Sequence, residues 1–315
     1  MPDIPVYLFA GFLDSGKTNF LSPMLTEEGG QFTQDSHTLL LVCEEGDEEY
    51  DEEALDRQNV RMVMIEDYED LNPKHLKSLE RRYKPDQVVI EYNGMWSLAE
   101  LDSKLLPKNW ILYQIIVTVD SNTFELYVKN MGQLMSEKLM NADMIIFNRV
   151  NEDTAAMLRK RNIKMVNRRA EIYLEWENGD MEEYDSGEPP FDMSKPVLDL
   201  ADEDYGYWYV DVMDHPDRYE GKVVRYRGMV AQSKEFPSDC CVAGRFAMVC
   251  CAQDRQFLGM LCKGDQKKGF KSRDWAMVTA KVHEEYVELY QGDGPMLYVQ
   301  SMEHCSPPAV EDVTF

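Results

Sequence analysis

The stretch "GFLDSGKT", Gly11 to Thr18, constrains the fold more than any other part of the chain. It fits the pattern G-x-x-x-x-G-K-[ST]. The apolar run "PVYLFAG" (5–11) precedes it, and "TNFLSPML" (18–25) opens a helix after it. Glycines let the backbone turn its N–H groups inward around phosphate oxygens. The following helix N-terminus adds partial positive charge. In such a loop Lys17 reaches the β and γ phosphates and the Thr18 hydroxyl ligates Mg²⁺. Gly11, Asp14, Ser15, Gly16, Lys17, Thr18 and Asn19 are therefore the candidate residues for holding a nucleoside triphosphate. A chance glycine turn is the competing explanation, and the complete pattern between a strand and a helix disfavours it.

Further apolar runs follow: "TLLLVC" (38–43), "VRMVMI" (60–65), "QVVIEY" (87–92), "ILYQIIVTV" (111–119) and "DMIIFN" (143–148). Near-continuous Val, Ile and Leu suit strands buried on both faces of a sheet. Helical spacing separates them, most clearly from Thr123, where Phe124, Tyr127, Val128, Met131, Leu134, Met135 and Leu139 share one face. This alternation predicts a mostly parallel α/β sheet. After residue 176 the texture changes. Asn178-Gly179 is a strong hairpin turn, and Pro189-Pro190 reads as a linker. Five short strand candidates then follow with little helix: 222–230, 245–252, 257–263, 275–282 and 295–303. The expected architecture is an α/β P-loop nucleoside-triphosphatase domain (1–178), an acidic Pro/Gly linker (179–196) and a smaller β-rich domain (197–315), with an OB-like barrel as the first choice.

Two more strand ends carry chemistry. "VVIEYNG" (88–94) places Glu91 where it can hold the Mg²⁺ hydration shell or orient water, and Gly94 permits close backbone approach to a γ-phosphate. "ADMIIFNRVNED" (142–153) presents Asn148, Arg149 and Asn151 as a base-reading set. Asn148 can bond the N7/O6 edge of a purine, and Arg149 can stack over the ring. A guanine reader needs a carboxylate to accept from N1–H and N2–H₂. Asn151 offers one acceptor and one donor, a mismatch of roughly 1–3 kcal/mol if buried. The expectation is a purine pocket with weakened guanine selectivity. Asp153 supplies the carboxylate if the loop shifts by two residues, and "VNRRAE" (166–171) could complete the wall.

With these pieces in place, residues 4–175 resemble the CobW/HypB/UreG class of P-loop GTPases, especially its CobW-like branch. The resemblance rests on "GFLDSGKT", "CEEGDEEYD" (43–51), "IEYNG" (90–94) and "FNRVN" (147–151). It puts Glu44 and Gly46 in a switch, Glu91 and Gly94 in the Mg²⁺ and γ-phosphate segment, and Asn148 in the base site. Phe12 stands where the dimer-forming ATPase relatives carry a second lysine, which disfavours that branch. Three positions depart from the class. Cys43 replaces the usual switch asparagine. The Cys-x-Cys-Cys loop of CobW-type metal chaperones is missing from its usual interval. The Asn-Lys-x-Asp base reader has become Asn148-Arg149-Val150-Asn151. The C-terminal half resembles an uncharacterised domain of putative bacterial permease-associated proteins, through "GRFAMVCCAQD" and the "FLG" that follows.

Charge and cysteines narrow the partners. The chain carries 58 acidic and 33 basic side chains, a formal charge of -25, which repels a phosphate backbone and argues against nucleic acid. No apolar run is long enough to span a membrane, and the N-terminus carries no leader pattern, so the expected location is the cytoplasm. Residues 44–56 hold nine acids and no base, mostly a solvated loop. Seven cysteines in 315 residues do not make a disulfide scaffold. Cys250, Cys251 and Cys262 are the candidates for a soft metal such as zinc. Buried thiols acting as small hydrophobes are the competing and favoured reading.

The leading expectation is Mg²⁺-dependent binding and hydrolysis of GTP or another purine triphosphate, regulating the β-rich domain or an unidentified protein partner. Lys17 would stabilise transferred charge, and Glu44 or Glu91 would position water. A homodimer is compatible with this reading. The alternative is a nucleotide-binding scaffold with little hydrolysis, whose C-terminal domain acts as an interaction or metal-binding module.

Overall fold

The computed structural model describes residues 2–32, 36–99, 101–185, 187–248, 255–265 and 269–314. The chain divides into two compact units, Met1–Leu158 with Arg169–Asp185, and Arg159–Arg168 with Ser186–Phe315. Among the described residues no helix is long and apolar enough to cross a membrane.

The first unit is built on an eight-stranded sheet. Its strands are β1 (Ile4–Ala10), β2 (Thr38–Val42), β3 (Val60–Met64), β4 (Gln87–Glu91), β5 (Trp110–Asp120), β6 (Met144–Val150), β7 (Glu171–Trp176) and β8 (Met181–Glu183). They lie in the order β3-β2-β4-β1-β5-β6-β7-β8, all parallel except β8, which returns antiparallel on β7. The expected α/β sheet is therefore present. Strand β2, "TLLLV", is buried at every position, as a strand covered on both faces must be. Helices α1 (Lys17–Thr26), α2 (Glu52–Arg57), α3 (Pro73–Tyr83), α4 (Phe124–Asn141) and α5 (Glu152–Arg161) connect the strands. Because β1 sits between β4 and β5, the order reverses there. The segments leaving β1, β4, β5 and β6 thus emerge at one carboxyl edge, where ligands of open α/β sheets bind.

The β7–β8 hairpin turns through Asn178-Gly179, with Gly179 at φ 86 and its N–H bonded to Trp176 O at 2.8 Å. Strand β8 lies inside the stretch read from sequence as a linker, and Tyr184 just beyond it is buried, its hydroxyl donating to Leu158 O at 3.1 Å.

The second unit contains β9 (Val197–Asp199), α6 (Tyr205–Asp214), β10 (Val223–Ala231), β11 (Cys240–Met248), β12 (Gln256–Lys263), β13 (Trp275–Val287), β14 (Gly292–His304) and β15 (Val313–Thr314). Strand β10 pairs with β11, β11 with β12, β12 with β14, β14 with β13, and β13 with β10. The circuit closes into a five-stranded barrel, antiparallel except at the β12–β14 joint. This is the OB-like arrangement expected for the β-rich half. Strand β11 begins at Cys240, five residues before the expected start. Helix α6 has no counterpart in the sequence reading. Its "YGYWYVDVMD" is rich in aromatics and β-branched residues, which favour strands. It is helical because Tyr205, Trp208 and Val212 bury in the same cluster as Tyr226, Cys241 and Cys262, and tertiary packing supplies most helical stability.

Candidate nucleotide-binding site

The loop after β1 makes a close backbone cradle. Gly11 and Gly16 adopt φ 151 and 87, and a Cβ at Gly16 would lie 2.3 Å from Asn148 Nδ2. Gly94 is equally tight, since its Cβ would meet Gly11 O at 2.6 Å. Only glycine brings these three segments together. Lys17, 4% exposed, donates to Gly11 O at 3.1 Å and Phe12 O at 3.0 Å. Its ammonium also pairs with Glu44 Oε1, while the other oxygen of Glu44 accepts the Gly94 N–H at 3.0 Å. Thr18 Oγ1 donates to Glu91 Oε1 at 2.8 Å, and the Tyr50 hydroxyl donates to Glu91 Oε2. Burial, with Glu91 alongside, pushes the Tyr50 hydroxyl far up from its ordinary value, so it stays protonated as a donor. Asp14, Gly16, Lys17, Thr18, Asn19, Glu44, Glu91 and Arg149 all line this one cleft. Ser15 lies beneath it, its hydroxyl 2.9 Å from Thr118 Oγ1.

A second cleft adjoins the first and is lined by Gly16, Asn19, Phe20, Asn148, Arg149, Glu175, Trp176, Glu177 and Gly179. Asn148 is buried and donates through Nδ2 to Ser15 O at 2.7 Å. Among the described residues nothing bonds its Oδ1. Arg149 takes the left-handed conformation (φ 53), and its guanidinium bonds Asp14 O at 3.0 Å and pairs with Asp120. Asn151 stands apart from the lining. Its Oδ1 accepts the N–H groups of Asp153 (3.1 Å) and Thr154 (3.0 Å), so it caps α5. Its Nδ2 points to Glu177 Oε1 at 3.5 Å. Asp153 is exposed in the first turn of α5. The rest of the lining comes from the end of β7 and the β7–β8 turn rather than from 166–171.

Residues 5–174 match the family profile described as CobW/HypB/UreG, nucleotide-binding domain. The chain belongs to this family. Residues 177–313 match a second profile, the DUF1980 C-terminal domain. Among solved structures, hydrogenase maturation factor HypB from Archaeoglobus fulgidus is 19% identical over 55% of this chain and 80% of its own, with a TM-score of 0.37. Zn(II)-bound YjiA GTPase from E. coli is 19% identical over 77% of this chain and 86% of its own, with a TM-score of 0.41. A Zn(II)-bound triple mutant of YjiA gives 0.43 at the same identity and coverage. No curated protein matches the chain.

Within this CobW/HypB/UreG-family domain, two neighbouring residues of α4 were missed by the sequence reading. Glu137 Oε1 accepts from Ser97 Oγ (2.7 Å), Leu98 N (2.7 Å) and Ala99 N (3.0 Å). Lys138, fully buried, donates to Trp96 O at 3.1 Å and lies 5.8 Å from the centre of the Phe12 ring. Burial lowers its ammonium to about 8. Together they grip the segment that follows Gly94. The signal was a charged pair breaking into an apolar helical face. The face residue Met131 departs from helical geometry, which marks a kink in α4.

The soft-metal candidates divide. Cys250 and Cys251 lie outside the described residues. Cys262 sits opposite Cys241 across the β11–β12 pair, buried in the barrel core with the Tyr226 hydroxyl 3.6 Å from its sulfur. The hydrogen bond with Cys241 and burial raise the Cys262 thiol well above its ordinary value, which opposes the thiolate a metal needs. Among the described residues no group of three His, Cys, Asp or Glu side chains is placed to hold a metal ion. His283 is engaged with Glu220 at 2.7 Å, and His304 stacks on Phe270.

Proposed function

We propose that the chain is a Mg²⁺-dependent GTPase whose nucleotide cycle regulates its β-rich unit or a protein partner. One observation carries the reading. Glu44 bridges Lys17 and the Gly94 N–H, the two donors that a γ-phosphate needs. A carboxylate resting on that donor pair occupies an anion site within the phosphate cleft.

The donors for Mg²⁺ are oxygen-only, as a hard cation prefers: the Thr18 hydroxyl and the Glu91 carboxylate, already 2.8 Å apart on the cleft wall. When bound, the ion would neutralise phosphate charge. Lys17 would bind and stabilise the β and γ oxygens, with backbone amides of the loop holding the rest of the triphosphate. Glu44, displaced by the entering γ-phosphate, stays within reach of the attacking water and orients it. Hydrolysis forms a bond from the water oxygen to the γ-phosphorus and breaks the bond to the β-bridging oxygen. The proton leaves on the released phosphate or to solvent.

The test is GTP turnover by the full chain with Mg²⁺, compared with Lys17→Ala. Loss of both triphosphate affinity and turnover in the variant is expected. Equal affinity for the two proteins would overturn the assignment. Tight binding with no turnover by the wild type would favour the scaffold reading.

A further inference from the structure

We propose that Glu177, on the β7–β8 turn, reads the base and selects guanine, with Asn151 as its positioning residue. The inference rests on the nucleotide reading above and names the group that completes the pocket.

The second cleft contains a polar atom waiting for a partner. Asn148 is only 6% exposed, and among the described residues its Oδ1 bonds nothing. A buried amide oxygen left bare costs about 1–3 kcal/mol, so the cleft suits a ligand that brings polar groups; an oxygen that only accepts does not by itself favour guanine, whose N7/O6 edge also accepts. Arg149 also lines the cleft, its guanidinium held by Asp14 O and Asp120. The same cleft is lined by Glu175 and Trp176 at the end of β7 and by Glu177 at the start of the turn.

Asn151 cannot be the guanine acceptor in this arrangement. Its Oδ1 is committed to two N–H groups of α5, which leaves only its NH₂. That donor faces Glu177 Oε1 at 3.5 Å. The Glu177 backbone is fixed as well, its N–H bonded to Val150 O at 3.0 Å beside the base-reading strand end. The turn is closed by Trp176 N–H to Asp180 O at 2.8 Å. The Glu177 main chain is thus fixed beside the pocket, and its carboxylate lies 3.5 Å from the Asn151 amide.

An ionised carboxylate only accepts. Guanine presents N1–H and N2–H₂ side by side, two donors for its two oxygens. Adenine presents a bare N1 at the same edge, an acceptor against an acceptor. Adenine's N6–H₂ could satisfy Asn148 Oδ1, so adenine is the rival that the experiment must beat. Xanthine places a carbonyl where guanine has N2–H₂, which the carboxylate rejects and an amide NH₂ would accept.

Competition of GTP, XTP and ATP against a fluorescent triphosphate, with Mg²⁺ and the full chain, decides it. Wild type is expected to prefer GTP over both rivals by about tenfold or more, as one or two charge-assisted bonds give. Glu177→Gln should lose most of that preference and gain affinity for XTP. Asn151→Ala should weaken the preference less, and Asp153→Asn should leave it unchanged. An unaltered GTP:XTP ratio in Glu177→Gln, its transfer to Glu175→Gln, or a wild type that prefers ATP would overturn the proposal while leaving the phosphate site standing. A wild type that binds none of the three would overturn both readings. Glu177 is exposed on a turn, so its substitution does not endanger the fold.

Discussion

Glu44 is ion-paired to Lys17 in the cleft beside the glycine loop, although they lie 27 positions apart in the chain. The same carboxylate takes the Gly94 N–H, so one side chain ties together the loop after β1, the acidic segment after β2 and the turn after β4. On the proposed function, a triphosphate must displace it. On that reading the cleft contains its own competitor for the γ-phosphate.

Glu44→Gln keeps the shape and removes the charge, so Lys17 is freed for the nucleotide. Triphosphate affinity should rise roughly fivefold or more, since breaking a largely buried ion pair no longer opposes binding. Turnover should fall in the same variant if Glu44 orients water. Affinity and single-turnover rate measured together check both signs. Unchanged affinity would show that the pair does not compete with phosphate.

Thr18 and Glu91 give a separable prediction about the metal. Thr18→Val and Glu91→Gln each remove one oxygen donor from the cleft wall. In wild type, removing Mg²⁺ with a chelator should weaken triphosphate binding about tenfold or more. In either variant the chelator should have a much smaller effect, because two-ligand Mg²⁺ sites depend on each protein oxygen. Titrations with and without chelator read this directly.

The parts of this site legible in the sequence are those confined to one strand–turn segment. Lys17 and Thr18 declare themselves through the glycine spacing, and Asn148 through its place at a buried strand end. What was not legible depends on long-range packing. The Glu44–Lys17 pair requires β2 and β1 to be placed on either side of β4. Asn178-Gly179 announces the hairpin that carries Glu177, but nothing in the sequence shows that its turn comes to line one cleft with Asn148. Asn151 could be seen as a polar strand end, but its role as an α5 cap follows from where the helix starts. In the β-rich half, alternation revealed the strands, while closure of the barrel rests on the short β12–β14 contact between Cys262–Lys263 and Leu297–Tyr298. Helix α6 was hidden because its composition points to strand.

Lys138 predicts a pH effect on stability. Its ordinary value is 10.5, and burial lowers it to about 8 in the folded chain. Between these values the unfolded chain holds a proton that the folded chain has released, so this group makes stability rise with pH in that window. Below about pH 8 the buried charge opposes folding by on the order of 3 kcal/mol. Lys138→Met should therefore be more stable than wild type at pH 7, and the difference should shrink between pH 8 and 10. Unfolding curves of the pair at several pH values test it. A difference that does not change with pH would mean that the lysine is not titrating in that range.

The barrel makes a steric prediction that is independent of the nucleotide. Gly244 of β11 lies opposite Gly259 of β12, and a Cβ at position 244 would fall 2.1 Å from Leu258 O and 2.6 Å from Gly259 Cα. Both neighbours are backbone atoms of a paired strand, so no side chain can rotate away. The strand pair would have to separate, at the cost of ladder bonds and of packing in the cluster around Leu258 and Met260. Gly244→Ala should destabilise the β-rich unit by about 3 kcal/mol or more, at the upper end of overpacking penalties. Gly292→Ala is the control, because a Cβ there meets nothing within 4 Å. Denaturant unfolding followed by tryptophan fluorescence can read the change through Trp208, which is buried in the same core. Comparable midpoints for the two variants would show that β11 and β12 are not held at this separation. A loss confined to Gly244→Ala would establish that the approach of the two strands at Gly244 and Gly259 is what lets the barrel close.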